Sequence, residues 1–175
     1  MNTDRFERHF FIAAREAGSE SNDLPTWADR GFGAIDFDSR DSGSVARIDL
    51  PEVPGAFQLQ GVLSVAECSQ LVAISERMGY QADAPVSLGR NIRHNDNVNW
   101  IVDDAIVDTL WSRCAEPVDQ QALGYAALGL NARFRFYRYR SGDFFNAHTS
   151  SSVRRLRDLL KCSLSLVRSG PSLSI

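Results

Sequence analysis

The stretch that most constrains the fold is Phe134-Arg135-Phe136-Tyr137-Arg138-Tyr139, followed by Arg140-Ser141-Gly142-Asp143-Phe144-Phe145-Asn146-Ala147-His148. Aromatic residues favour a pleated, half-buried surface, so the first six residues read as a strand of about 20 Å. Side chains alternate along it. Phe134, Phe136 and Arg138 share one face, and Arg135, Tyr137 and Tyr139 share the other. Ser141-Gly142-Asp143 supplies turn chemistry, with Gly142 open to positive φ. Phe144 and Phe145 resume the strand, and His148 closes it. On residue chemistry alone this is either a sheet core with a surface histidine at its end, or a hairpin that carries a metal ligand out of an aromatic wall.

A second stretch lies upstream. It comprises Asn91-Ile92-Arg93-His94-Asn95-Asp96-Asn97-Val98, then Val102-Asp103-Asp104, then Leu110-Trp111-Ser112-Arg113. Together the two stretches resemble the prolyl-4-hydroxylase-like 2-oxoglutarate/Fe(II) dioxygenases. In that family a Tyr-x-x-Gly-x-x-Phe-x-x-His strand leads to the first iron ligand, and an Arg-x-Asn-Asp-x-Val segment with a helix precedes it. The resemblance runs from about Ala56 to His148. It implies an α+β fold, with helices packed on a partial double-stranded β-helix (jelly-roll) core. It implies Fe(II) and 2-oxoglutarate as cofactors, with ascorbate in support, and a protein or small-molecule substrate. It assigns His148 as an iron ligand and Tyr139 to the 2-oxoglutarate carboxylate. Arg93, Asn95 and Asp96 become candidates for substrate contact, although Asn95 and Asp96 would equally serve to satisfy turn backbone. His94, in a polar loop, reads as solvated.

One departure stands inside the motif. The family's iron is held by His-x-Asp and a distant second histidine, a facial triad that leaves open positions for co-substrates. Here the residues are His148-Thr149-Ser150, and neutral Ser150 occupies the place of the carboxylate. His9 and His94 both precede the motif, so neither is the second ligand by family order. No catalytic residue is assigned. The expected function is therefore a dioxygenase by descent, incomplete and inactive as written. The alternatives are a non-catalytic remnant of that ancestry, which leans on a partner or on a second copy, and a binding module that uses its basic tail.

The tail is distinct. After Ser150-Ser151-Ser152 come Arg154, Arg155, Arg157, Lys161 and Arg168, opposed only by Asp158. Val153, Leu156, Leu159, Leu160 and Leu164 are spaced for a helix stripe, whereas the family has strands there. The loss of resemblance at His148 leads to the expectation that the tail after His148 arises from a truncation, a frameshift or an unrelated terminal exon, to be tested in the other reading frames of the gene. The expected layout is thus 1–50 as N-terminal helix and flexible segment, 51–150 as the dioxygenase-like part, and 151–175 as a divergent basic tail.

The rest of the chain is ordinary. Of 175 residues, 43% are hydrophobic and 23% charged, enough for one domain with a sizeable core. The net charge of -3 argues against nucleic acid and membrane surfaces as partners. The cysteines Cys68, Cys114 and Cys162 are far apart, with neither zinc spacing nor a disulfide framework, so a reducing cytoplasm is expected. No apolar run is long enough to span a membrane.

The remaining elements follow from spacing. Phe6, Phe10, Ala13, Ala14 and Ala17 predict a helix over 3–18, stopped by Gly18. The Ser-, Asp- and Gly-rich 19–43 predicts a loop, and 44–50 a short strand. Phe57 to Gly61 alternates as a strand. Ser64-Val65-Ala66-Glu67 is a capping box that opens a helix with a stripe of Val65, Cys68, Leu71, Val72, Ser75 and Met78, stopped by Gly79. Residues 81–99 are polar and turn-rich. Asp103 or Asp104 caps a helix buried along Ile106, Val107, Leu110, Trp111 and Cys114. Residues 117–129 connect it to the aromatic strand.

Overall fold

The computed structural model describes residues 3–31, 33–39, 45–52, 56–85, 92–118, 121–122, 125–146, 161–162, 165–169 and 172–174. In chain order the elements are α1 (Thr3–His9), β1 (Phe10–Glu16), β2 (Leu24–Asp29), β3 (Ala46–Asp49), β4 (Phe57–Gln60), α2 (Val65–Met78), β5 (Arg93–His94), β6 (Asp96–Ile101), α3 (Asp104–Cys114), β7 (Gln121–Ala122), β8 (Tyr125–Ala126), β9 (Gly129–Leu130), β10 (Arg133–Arg138), β11 (Phe144–Phe145), β12 (Lys161–Cys162), β13 (Ser165–Ser169) and β14 (Ser172–Ser174). The class is α+β. Among the described residues, three helices accompany one six-stranded sheet and four two-stranded ladders. Among the described residues these sheets are open.

The large sheet runs β1-β2-β6-β10-β13-β14. Its centre is the antiparallel pair β6 and β10, in register Phe134↔Trp100 and Phe136↔Val98. Those four side chains lie on one face. They share a core with Leu71, Ile74 and Met78 of α2, Ile106 and Leu110 of α3, and Phe6 and Phe10 from the N-terminus. Trp100 stacks on Phe136 with ring centroids 6.2 Å apart and meets Phe10 edge-on at 5.4 Å. The opposite face is polar. Asn97 and Asn99 alternate with Val98 and Trp100, opposite Tyr137 and Arg135 of β10. Yet Asn97, Asn99 and Tyr137 are all buried.

Several expectations hold. The Ser64 capping box forms in both directions: Ser64 Oγ accepts from Glu67 N, and Glu67 Oε2 accepts from Ser64 N at 2.8 Å. Gly79 ends α2 at φ 85°. Asp103 caps α3 through Ile106 N. The strands near 44–50 and 57–61 form and pair with each other as β3 and β4.

Others are corrected. The helix expected over 3–18 stops at His9, and Phe10–Glu16 is a strand paired with β2. Phe6 and Phe10 still reach the core together, their rings 4.8 Å apart, so the apolar spacing is satisfied without a continuous helix. The loop expected over 19–43 contains β2, whose Thr26 to Ala28 add in parallel to β6. The polar stretch 81–99 contains the start of β6. Asparagine is a poor strand former, but these asparagines sit between partners on both sides of a central strand.

The α2 stripe is also rotated from expectation. Val65 is 86% exposed, Cys68 only partly buried, and Glu67 and Ile74 fully buried. Beyond residue 160 the described residues are strands: β13 adds in parallel to the second edge of β10 and β14 folds back on β13. An open strand edge is a template for further pairing, and β13 takes up the second edge of β10. Val153 to Leu160, and Leu164, lie outside the described residues. No described helix is long and apolar enough to cross a membrane.

Candidate functional site

The two stretches singled out in the sequence lie side by side, although paired residues such as Asp96 and Arg138 are 42 positions apart. β5 pairs antiparallel with β11, His94 opposite Phe144 and Arg93 opposite Phe145. Asn146 N extends the ladder by donating to Ile92 O at 2.9 Å. One step along, β6 pairs with β10 from Asp96↔Arg138 onward. Gly142, at φ 91°, makes the turn between β10 and β11.

Arg93 lies over the Tyr137 ring, 4.5 Å from its centroid, and 5.3 Å from that of Phe145. A guanidinium held against two rings is pre-oriented at little cost in flexibility. Asn95 is 7% exposed, and its Nδ2 donor has no hydrogen-bond partner. The Tyr139 hydroxyl is held above the usual phenol value by burial, which the nearby Asn95 side chain and the Arg93 charge partly oppose. Guanidinium, amide N–H and phenol are all donors. On this flank of the polar face they are suited to an acceptor such as a carboxylate.

Asp96 is differently placed. Its Oδ2 accepts from Arg138 Nη2 at 3.0 Å and pairs with Arg140 Nη2 at 2.8 Å, while Arg138 also reaches Glu76 at 2.8 Å. The carboxylate is engaged in joining the start of β6 to the end of β10. His94, expected as solvated, keeps 43% of its side chain exposed, and it also places Nδ1 2.7 Å from Asp143 Oδ1 and stacks on Phe144 with centroids 6.1 Å apart. Asp143 Oδ2 in turn accepts from Arg140 N at 2.7 Å. These hydrogen bonds, from the Arg140 backbone first and then from His94, lower the Asp143 pKa.

His148 and Ser150 lie outside the described residues. Among the described residues no three His, Cys, Asp or Glu side chains are grouped to hold a metal ion.

The structure also brings together polar groups that no local sequence pattern joins. Arg133 bridges Glu16 and Thr26, and Thr26 donates to Glu16 as well. Glu16 is held below the usual carboxylate range, first by Arg133 and then by Thr26. Asn99, paired with Thr26 across β2, keeps an unsatisfied buried Oδ1. The visible signal was the period-two run Asn95, Asn97, Asn99. A cavity of about 140 Å³ opens beside the start of α3, lined by Gly33, Ile35, Phe37, Asp103 and Thr109 among others. None of the expected site residues lines it.

Compared with known proteins, the chain matches no family model, no curated protein and no solved structure.

Proposed function

We propose that this chain carries the first part of a prolyl-4-hydroxylase-like 2-oxoglutarate/Fe(II) dioxygenase core, and that it does not turn over as written. In this reading β6, β10, β5 and β11 belong to a partial double-stranded β-helix, with α2 and α3 packed outside it. One observation carries the proposal. The two stretches that resemble the family, distant in sequence, pair strand to strand and leave Arg93, Asn95 and Tyr139 as donors on one flank.

The donors would take a carboxylate of the keto-acid, Tyr139 through its hydroxyl and Asn95 through its buried N–H beside it. The substrate would be a protein side chain or a small molecule approaching from the side of Arg93. Iron, when held by an intact member, supplies oxygen activation. In this chain Ser150 stands where an acid would give charge and a second bond beside His148, so ferrous affinity is weak.

The test is anaerobic Fe(II) calorimetry together with succinate formation from 2-oxoglutarate. The wild-type chain is expected to bind weakly and form no succinate above a metal-free control. Ser150→Asp is expected to tighten Fe(II) binding about tenfold or more, and His148→Ala in that background to abolish the gain. A Ser150→Asp chain with no His148-dependent gain would overturn the descent. Tight ferrous binding and succinate from the wild-type chain would overturn the inactivity.

A further inference from the structure

We infer that His94 and Asp143 are positioning residues, a clasp that sets the register of β11 against β5. The β5·β11 ladder has only two residue pairs, extended by the Asn146-to-Ile92 bond. So short a ladder is marginal by itself. Burial adds little, because Phe144 is 40% and Phe145 41% exposed. Side chains are placed to add to its hold.

Asp143 is placed to do so. One carboxylate oxygen takes the Arg140 N–H and closes the turn, while the other meets His94 Nδ1 at 2.7 Å. A single side chain thus ties the turn to the facing strand. His94 also stacks on Phe144, its register partner, and Arg93 lies against Phe145, its own. Each residue of β11 is gripped by the side chain opposite it. A slip by one residue would break both ring contacts and the His94–Asp143 hydrogen bond together. His148 follows Asn146 by two positions in sequence. That the clasp serves a metal ligand rests on the function proposed above; that it holds the strand does not.

The experiment compares the full-length wild-type chain with Asp143→Ala, Asp143→Asn and His94→Phe. Amide exchange is read over Phe144–Asn146, with β6 as internal reference. Asp143→Ala is expected to speed exchange there about tenfold or more, as for loss of a charge-assisted hydrogen bond, and to leave Val98 and Trp100 unchanged. Asp143→Asn, which keeps an acceptor, is expected to recover part of the protection. His94→Phe keeps the stacking and is expected to fall between. Unchanged exchange in Asp143→Ala would overturn the clasp. So would exchange that rises equally in β6, because that is general destabilisation. A second arm measures Co(II) affinity with and without Asp143→Ala in the Ser150→Asp background, where weakening is expected. Unchanged Co(II) affinity there would overturn the positioning role. If Ser150→Asp binds no Co(II) at all, the functional reading falls, and the exchange data still decide the clasp.

Discussion

Glu67 is charged yet has no solvent exposure. Burial alone would push its carboxyl up. Two hydrogen bonds from Arg113, with others from the Ser64 and Asp38 backbone, outweigh that and hold it at about 2. Arg113 also donates to Val62 O and Asp38 O, both at 2.9 Å, so one pair joins α2, α3 and two loops. Removing one partner leaves the other buried and uncompensated. Arg113→Met is expected to cost about 3–5 kcal/mol in urea unfolding at neutral pH, and Arg113→Met with Glu67→Leu to recover much of that loss. Asp83 behaves similarly on the surface. Burial raises it, but the backbone N–H groups of Glu20, Ser21, Ala84 and Ser19 bring it to about 2. Both groups have folded pKa values below their unfolded ones. Their stabilisation is complete above about pH 5 and is lost as pH falls toward about 2. Urea midpoints are expected to drop between pH 5 and 3, and Asp83→Asn, weaker at pH 7, to show a shallower drop. The capping role of Glu67 was legible in Ser64-x-x-Glu67. Its pairing with Arg113 was not, because forty-six positions separate them.

Elements split by whether their signal is local. The start of α2 needs only Ser64 and Glu67, and it forms as the spacing says. Ser64→Ala is expected to cost about 1 kcal/mol by thermal or chemical unfolding. The register of β10 was likewise legible: Phe134 and Phe136 face the core, and Tyr137 faces away from it. β1 and β6 were not. Ala13 and Ala14 favour helix by themselves, and the asparagines of β6 favour turns, yet both segments are strands because neighbours supply their backbone partners. Trp100 shows what that placement secures. Besides its ring contacts it donates Nε1 to Asp29 Oδ2 at 2.8 Å. Burial raises the Asp29 carboxyl, with the Asp103 charge adding to that, while Gly31 N and Trp100 pull it back. Trp100→Phe keeps an apolar ring but removes the donor, and is expected to cost about 1–3 kcal/mol in the same assay.

Across the whole molecule the large sheet has one apolar face, packed on the helices, and one polar face with unsatisfied buried atoms at Asn95 and Asn99. The expected candidate site falls on the flank of that polar face. Arg93, Asn95 and Tyr139 come together there, Asp96 is tied into ion pairs, and His148 lies beyond what is described. The tail contributes to the sheet through β13, which covers the second edge of β10. Deleting residues 161–175 is expected to leave that edge open and to promote self-association, read by light scattering across a concentration series. An unchanged monomer fraction would show that the edge is covered by other means.

What the chain alone determined is everything that depends on neighbours a few positions away: the cap of α2, its glycine stop, the cap of α3, and the inward face of the aromatic strand. Tertiary structure alone decided which helix-prone and turn-prone segments became strands, which acids were buried, and that Arg93 meets Phe145. The physical reason is range. Caps and periodicity are satisfied within one turn or one pleat, whereas strand pairing and buried charges are satisfied only by partners that the folded chain delivers from far along its length.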